Sequence, residues 1–464
     1  MKRRFFFALS LQVYALVLSA GAWAALFTVD TPAAFLATAK TAKPGDTVTV
    51  AADLTLPADV NLPAGVTVDL GGHTVSPPPP DLAKPMGYRL FNVQAGGITV
   101  RNGTIDRAGW GVYTFYSCNG VTLKNIRFND ARMAAVKLSA LKGQRVDGIV
   151  IEDCTITATA RPQTLIDLGP GAIGETEIRR VTIHGPLGSE SNTACDGLAV
   201  EDGQGPITIE DVQIHGVPGD GCDVKNSAPL TVSNIEIEGA VRNGLKIWCH
   251  STGGEATGVA ATAAVNDAKI TNCGLEHIVV AAGTVTIDGL TVEAPGAAAA
   301  WGGGYEYPAD ITVRNASIVR TGTSSSWLMH TDGGDSRPIS SYPAKVRFEN
   351  CRFWGGNTNN LFSPKAGSPL PSLSKSQALA GQWPANFVNC TYAESGPVVE
   401  PPPLPPGLST EQRVSALEAL YASQVQTVDA IADKLRVTEE ALARVSAQAA
   451  EANAAYQKLR EALK

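Results

Sequence analysis

The residues 218–229, PGDGCDVKNSAP, place Asp220, Asp223 and Lys225 within six positions. Carboxylates so close can act as acid and base or hold a divalent cation such as Ca²⁺, and a lysine can act as a base if its pKa falls. The same stretch also reads as a turn, because Asp and Gly favour tight bends. Three nearby segments share its form: CDGLAV (195–200), GDGCDV (219–224) and RNGLKI (242–247). Asp196, Asp220 and Asn243 would stack at a bend, followed by Gly197, Gly221 and Gly244 at positions read here as needing positive φ.

What must position these residues is a repeat. Eleven segments share the order apolar, polar, Asn/Asp, small or apolar, polar, apolar, from VRNGTID at Val100 to FVNCTYA at Phe387. They include IEDCTIT from Ile151, IEDVQIH from Ile209 and, in this alignment, ITNCGLE from Ile270. Period-two alternation recurring every two to four dozen residues describes short strands stacked in a solenoid. A single coil cannot bury its own apolar side chains, whereas stacked coils can. The Asn/Asp at position three suits a left-handed bend.

A second column follows each segment by about a dozen residues: GVYTF at 111, AVKLS at 135, LIDLG at 165, GLAVE at 197, GCDVK at 221, GLKIW at 244 and HIVVA at 277. Between its inward apolar pairs lie Tyr113, Lys137, Asp167, Ala199, Asp223, Lys246 and Val279. The next outward row is Phe115, Ser139, Gly169, Glu201, Lys225, Trp248 and Ala281. One sheet face would thus carry alternating charge with aromatics at its edges. Such a face fits a sugar groove, where flat rings stack on sugars and charged groups bond hydroxyls or carboxylates; it equally fits a solvated sheet.

The expected fold is all-β, a right-handed parallel β-helix of about eleven or twelve coils spanning roughly 55 Å. Residues 26–395 resemble the pectate-lyase-like β-helix superfamily, with AKPGDTVTVAADLTL like its cap and first strand, after a short helical stretch at 31–41, and LPAGVTVDLGGHTV like its first full coil. The superfamily holds lyases, hydrolases, epimerases, adhesins and phage tailspikes, so fold does not settle function. DGCDVK resembles the Asp-Gly-x-x-x-Lys stretch that pectate lyases carry near their calcium and base. That resemblance implies Lys225 as base and Asp220 and Asp223 as Ca²⁺ ligands, and the outward column of charge adds Asp167, Asp223 and Lys246 to the catalytic set. Tyr113, Lys137, Glu201 and Trp248 would then bind substrate. Asp196 and Asp220 stand where polygalacturonases have two of their aspartates, but Gly221 and Asn243 replace that family's second aspartate and histidine.

The chain has 464 residues and net charge −7. MKRRFFFALSLQVYALVLSAGAWA reads as a signal peptide over 1–24, with a basic start, an apolar run and small residues at Ala22 and Ala24. Its removal would leave net charge −10, a poor match for nucleic acid or anionic membrane. Eight cysteines suggest disulfides in an exported protein. Yet Cys154, Cys273, Cys351 and Cys390 read as inward position-four residues, and Cys222 as inward in the second column, which points to buried thiols. Cys351 with Cys390 is the pair best placed for a bridge. His184 and His215 fall at one position of adjacent coils and should stack. WGGGYEY (301–307) reads as a loop offering rings to sugar.

The β-helix domain is read as 25–396. A proline-rich linker, 397–408, and a helix, 409–464, follow. Val414, Leu417, Tyr421, Gln424, Val428, Ile431, Leu435, Thr438, Leu442, Val445, Ala449, Ala452, Tyr456, Leu459 and Leu463 run three and four apart, a coiled-coil seam roughly 80 Å long. Such a seam should pair with copies of itself, and trimeric β-helical spikes make a trimer the expected state. Two readings therefore stand. One is an exported oligomer that binds polysaccharide and cleaves it as a lyase. The other is a non-catalytic surface spike or tailspike-like adhesin that recognises cell-surface glycan. Secretion, the cell surface, the periplasm or a virion are the compartments these imply.

Overall fold

The computed structural model describes residues 24–394, apart from 58, 79–88, 160–162, 187–194, 249–260, 295–298, 302–308, 322–327, 332–343, 356–359 and 365–369. The expected signal peptide, the linker, the coiled coil and most of WGGGYEY lie outside the described residues.

The first strand column is continuous and parallel. Val100 pairs with Leu123, then Ile151, Ile178, Ile209 and Val232 follow in register. From Val265 the column continues through Ile287, Val313, Phe348 and Phe387. It also extends in the other direction through Val68, Val48 and Phe27, beyond the eleven repeats legible in the sequence. Among the described strand pairs only Asn360–Ser363 with Leu373–Ser374 is antiparallel. A helix, Pro32–Thr41, closes the N-terminal end; Thr31 caps it by accepting from the Ala34 amide, and Phe35 is buried against Phe91. Pro at its first turn supplies the φ a helix needs without losing a hydrogen bond.

The position-three bend is left-handed, as the side chains foretell. Asn102, Asn125, Asp153, Asp211, Asn234, Asn315, Asn350 and Asn389 all have φ between 50° and 59°. Their side chains form a ladder: Asn125 Nδ2 donates to Asn102 Oδ1 at 3.1 Å and Asn234 Nδ2 to Asp211 Oδ1 at 2.6 Å. Arg180 holds the same place at φ 51° and reaches Asp153 through Nε at 2.6 Å.

One repeat was misaligned. Val232 pairs with Val265, and the motif of that coil is VNDAKIT, with the left-handed residue Asp267 at φ 53°. ITNCGLE from Ile270 mimics it because Asn272, at the next bend, is also left-handed, at φ 55°. Cys273 therefore follows that second bend and is not a position-four residue; its amide donates to His277 Nε2 at 3.0 Å. The other three position-four thiols do face inward and each donates to the carbonyl two residues before: Cys154 to Glu152, Cys351 to Glu349 and Cys390 to Val388. Cys351 and Cys390 are free thiols with no bridge between them, and Cys118, Cys154, Cys222 and Cys273 are free as well. Burial pushes the Cys154 thiol up to about 11, so it packs as a small apolar group. His184 and His215 stack with ring centroids 5.1 Å apart.

Candidate functional site: a charged ladder on the second column

The second column stacks in the register read from the sequence. Tyr113, Lys137, Asp167, Ala199, Asp223, Lys246 and Val279 are successive neighbours, and the row continues through Ala300 to His330. In the next row Lys225 pairs with Trp248, but a bulge after Ile247 sets Trp248 beside Ala282 instead of Ala281.

The bend before this column holds Asp196, Asp220 and Asn243 in a buried hydrogen-bonded file. The Asp220 amide donates to Asp196 Oδ1 at 2.7 Å, and Asn243 Nδ2 donates to Asp220 Oδ1 at 2.9 Å. Gly197, Gly221 and Gly244 follow, but none has positive φ. They are needed for room. A Cβ on Gly221 would lie 2.5 Å from Ile237 Cγ2 and 2.7 Å from the Gly244 carbonyl oxygen, distances real side chains do not adopt.

The charges form two paired groups along the row. Lys137 Nζ lies 2.5 Å from Asp167 Oδ2. Lys225 Nζ reaches Glu201 at 2.6 Å and Asp223 at 3.4 Å. Lys246 Nζ bridges Asp223 Oδ2 at 3.1 Å and Asp220 Oδ2 at 3.3 Å, while Arg242 approaches Asp220 Oδ1 at 3.4 Å. Asp220 and Asp223 are each only 4% exposed. Asp223 Oδ1 is buried without a hydrogen-bond partner. A strand needs none of this, since burying charge costs several kcal/mol before pairing. The file is therefore a built feature.

Burial raises the Asp223 carboxyl above the usual range, against the pull of Lys246 and Lys225. Burial likewise raises Asp167, opposed by Lys137. Asp196 is pushed up to about 8, first by burial and then by the Asp220 carboxylate, so it carries a proton at neutral pH. For Lys225 and Lys246 burial works against the charge, but their carboxylate neighbours outweigh it and hold both above the ordinary lysine value. A base must be free of its proton near working pH, whereas here the neighbouring carboxylates hold the proton on Lys225. Both lysines are fixed cations.

Calcium does not fit Asp220 and Asp223 as arranged. The Lys246 ammonium already sits between their oxygens, and no group of three or more His, Cys, Asp or Glu able to hold a metal occurs among the described residues. The expected stacking platforms differ too. Tyr113 is 3% exposed; its hydroxyl donates to Asp59 and its ring packs beneath the Arg89 guanidinium at 5.2 Å and beside Phe115. Trp248 is 6% exposed, with Lys246 Nζ 5.0 Å from its ring centroid. Both rings support charged side chains and neither offers a free face.

Sequence reasoning missed one pair. His330 and Glu276, 54 residues apart, meet with Nε2 to Oε1 at 3.1 Å, while His330 Nδ1 faces the Thr331 carbonyl oxygen at 3.0 Å. The hydrogen bond from His330 is the largest influence that lowers Glu276 below the usual carboxylate range. The Glu276 amide also donates to Asn243 Oδ1 at 3.3 Å, so this pair adjoins the Asp196–Asp220–Asn243 file. A second-column motif could have revealed Glu276, which stands at the bend where Asp220 and Asn243 stand; nothing local to His330 marks it.

Residues 89–259 match the family model described as "Right handed beta helix region". Among solved structures, the PL6 family alginate lyase AlyGC matches at 10% identity with a TM-score of 0.21, covering 74% of this chain and 78% of that one. No curated protein matches the chain in sequence. The family match covers the coils that carry the charged ladder, and the flanking strands continue the same parallel columns. The chain is thus built as a right-handed parallel β-helix.

Proposed function

We propose that the protein binds a polysaccharide along the outward face of the second column, from Lys137 to Lys246. The observation that carries this is the file of paired charges at Lys137–Asp167 and Glu201–Lys225–Asp223–Lys246–Asp220, which the packing of the coils does not require. Preorganised donors and acceptors in alternation suit sugar hydroxyls, and the fixed ammonium groups suit a uronate carboxylate. In the lyase reading Lys225 and Lys246 neutralise that carboxylate, which acidifies the neighbouring C–H, and the base is a different group. Glycan arrays with the full-length protein should show binding that Lys225→Ala weakens about tenfold or more, the scale of a lost charged hydrogen bond. Incubation with uronate polymers, with and without added calcium, separates the two readings. New short-wavelength ultraviolet absorbance from unsaturated sugar supports a lyase; binding without it supports an adhesin; the absence of both sinks the proposal.

The seam at 409–464 supports a self-associating stalk, with a trimer as the state we propose. Leu435→Asp in the full chain should return a monomer mass by light scattering, because a charge in a seam position cannot be buried. An unchanged mass would show that the seam does not hold the assembly together.

A further inference from the structure

A second opening lies where the second-column strands end, and the charged file does not use it. Its lining comes from three successive turns: residues 140–145, Pro170 to Ala172, and Asp202 with Gln204. The turn between Ala134–Leu138 and Arg145–Glu152 is longer than the one between Ile166–Leu168 and Ala172–Ile173, so it rises as a wall beside its shorter neighbour. The cleft encloses about 700 Å³, within the range of small-ligand sites. Glycine makes the floor possible: Gly171 has φ 105°, and a Cβ there would lie 2.2 Å from the Ala140 carbonyl oxygen.

Asp202 is the feature without a structural purpose. It is 5% exposed, yet no ion pair of the described residues includes it. Both its oxygens depend on one donor, Gln204 Nε2, at 3.3 and 3.4 Å. A buried carboxylate so weakly satisfied costs stability. The register shift between Val200 and Gly203 is what re-aims it, since bulges turn side chains out of strict alternation. Around it stand the donors Gln204, Lys142 and Arg145, the last held at 3.0 Å by Asp147, and the half-exposed apolar edge of Leu141. Glu201, which pairs with Lys225, is the preceding residue, so the cleft adjoins the ladder.

We infer that this cleft is a side subsite for one pyranose unit, a branch residue of the polysaccharide lying on the ladder. Asp202 accepts from two vicinal hydroxyls, Gln204 and Lys142 donate to ring substituents, and Leu141 covers an apolar edge of the sugar. The inference rests on the ladder as the main-chain site, and the test separates the two.

The probe is an array of matched linear and singly branched oligosaccharides, read with full-length wild type, Asp202→Asn, Gln204→Ala and Lys246→Met. Wild type should prefer branched members. Asp202→Asn should cut branched binding about tenfold and leave linear binding unchanged, and Gln204→Ala should shift it the same way by less. Lys246→Met should abolish binding of both classes. Equal binding of linear and branched members by wild type overturns the branch subsite, as does equal loss of both in Asp202→Asn. An effect of Asp202→Asn with none of Lys246→Met keeps the cleft as a sugar site and overturns the ladder. No binding by wild type overturns both. Circular dichroism confirms that each variant is folded, and Gln204→Ala decides the outcome if Asp202→Asn is not.

Discussion

Asp196→Asn is expected to make the protein more resistant to unfolding at pH 8 than the wild type, with the two nearly equal near pH 4. The folded-state pKa of Asp196 is raised to about 8, by burial first and then by the Asp220 carboxylate, with Asp223 adding repulsion and Lys246 opposing it. In the unfolded chain an aspartate titrates near ~3.9. Between those values the folded protein holds a proton that the unfolded chain has released. Raising pH through this window therefore weakens the folded state, by at most about 1.4 kcal/mol per pH unit for this group. Asparagine has no such dependence. It also retains an Oδ1 to accept from the Asp220 amide, the bond seen at 2.7 Å. The difference between the two denaturation midpoints should thus widen from pH 5 to pH 8 and level off above it, reaching a few kcal/mol. A constant difference across that range would show that Asp196 is ionised in the fold and that the file is not the low-polarity site described here.

Lys246→Met is expected to destabilise the β-helix by about 3 kcal/mol and to abolish glycan binding. Its ammonium lies between Asp220 and Asp223, at 3.3 and 3.1 Å, and both carboxylates are nearly inaccessible. Methionine keeps the stem's volume but leaves two buried acids with Arg242 and Lys225 as their remaining cations, each at 3.4 Å. Removing one partner of a buried pair costs more than the pair contributes, because the other charge stays behind. Adding Asp223→Asn to Lys246→Met should therefore recover part of the stability while binding stays lost. If Lys246→Met unfolds at the wild-type denaturant concentration, the file is solvated and its charges are ordinary surface charges.

The particular residues show where local pattern suffices. Val100 to Val232 stack as aligned because alternation defines which side chains face inward, and the short amides at Asn102, Asn125 and Asn234 stabilise a left-handed bend without help from afar. The same rule failed at Ile270, since Asn272 makes a second left-handed bend in the same coil, a few residues after Asp267. A local rule cannot say which of two equal bends is which; the pairing of Val232 with Val265 does.

Alternation and bend chemistry in the sequence were enough to set the β-helix, its two columns and the row from Lys137 to Lys246, because each depends on neighbours a few residues away or one coil apart. The state of that row was decided by the tertiary structure. Lys225 is held as a cation because Asp223 and Glu201 close around it. Gly221 is needed for the approach of Ile237 and Gly244, a contact between coils. Tyr113 loses its free ring face to Arg89 and Asp59, and Glu276 meets His330 across 54 residues. Burial and pKa are properties of whatever is stacked above, below and across, and no single coil of the sequence contains that information.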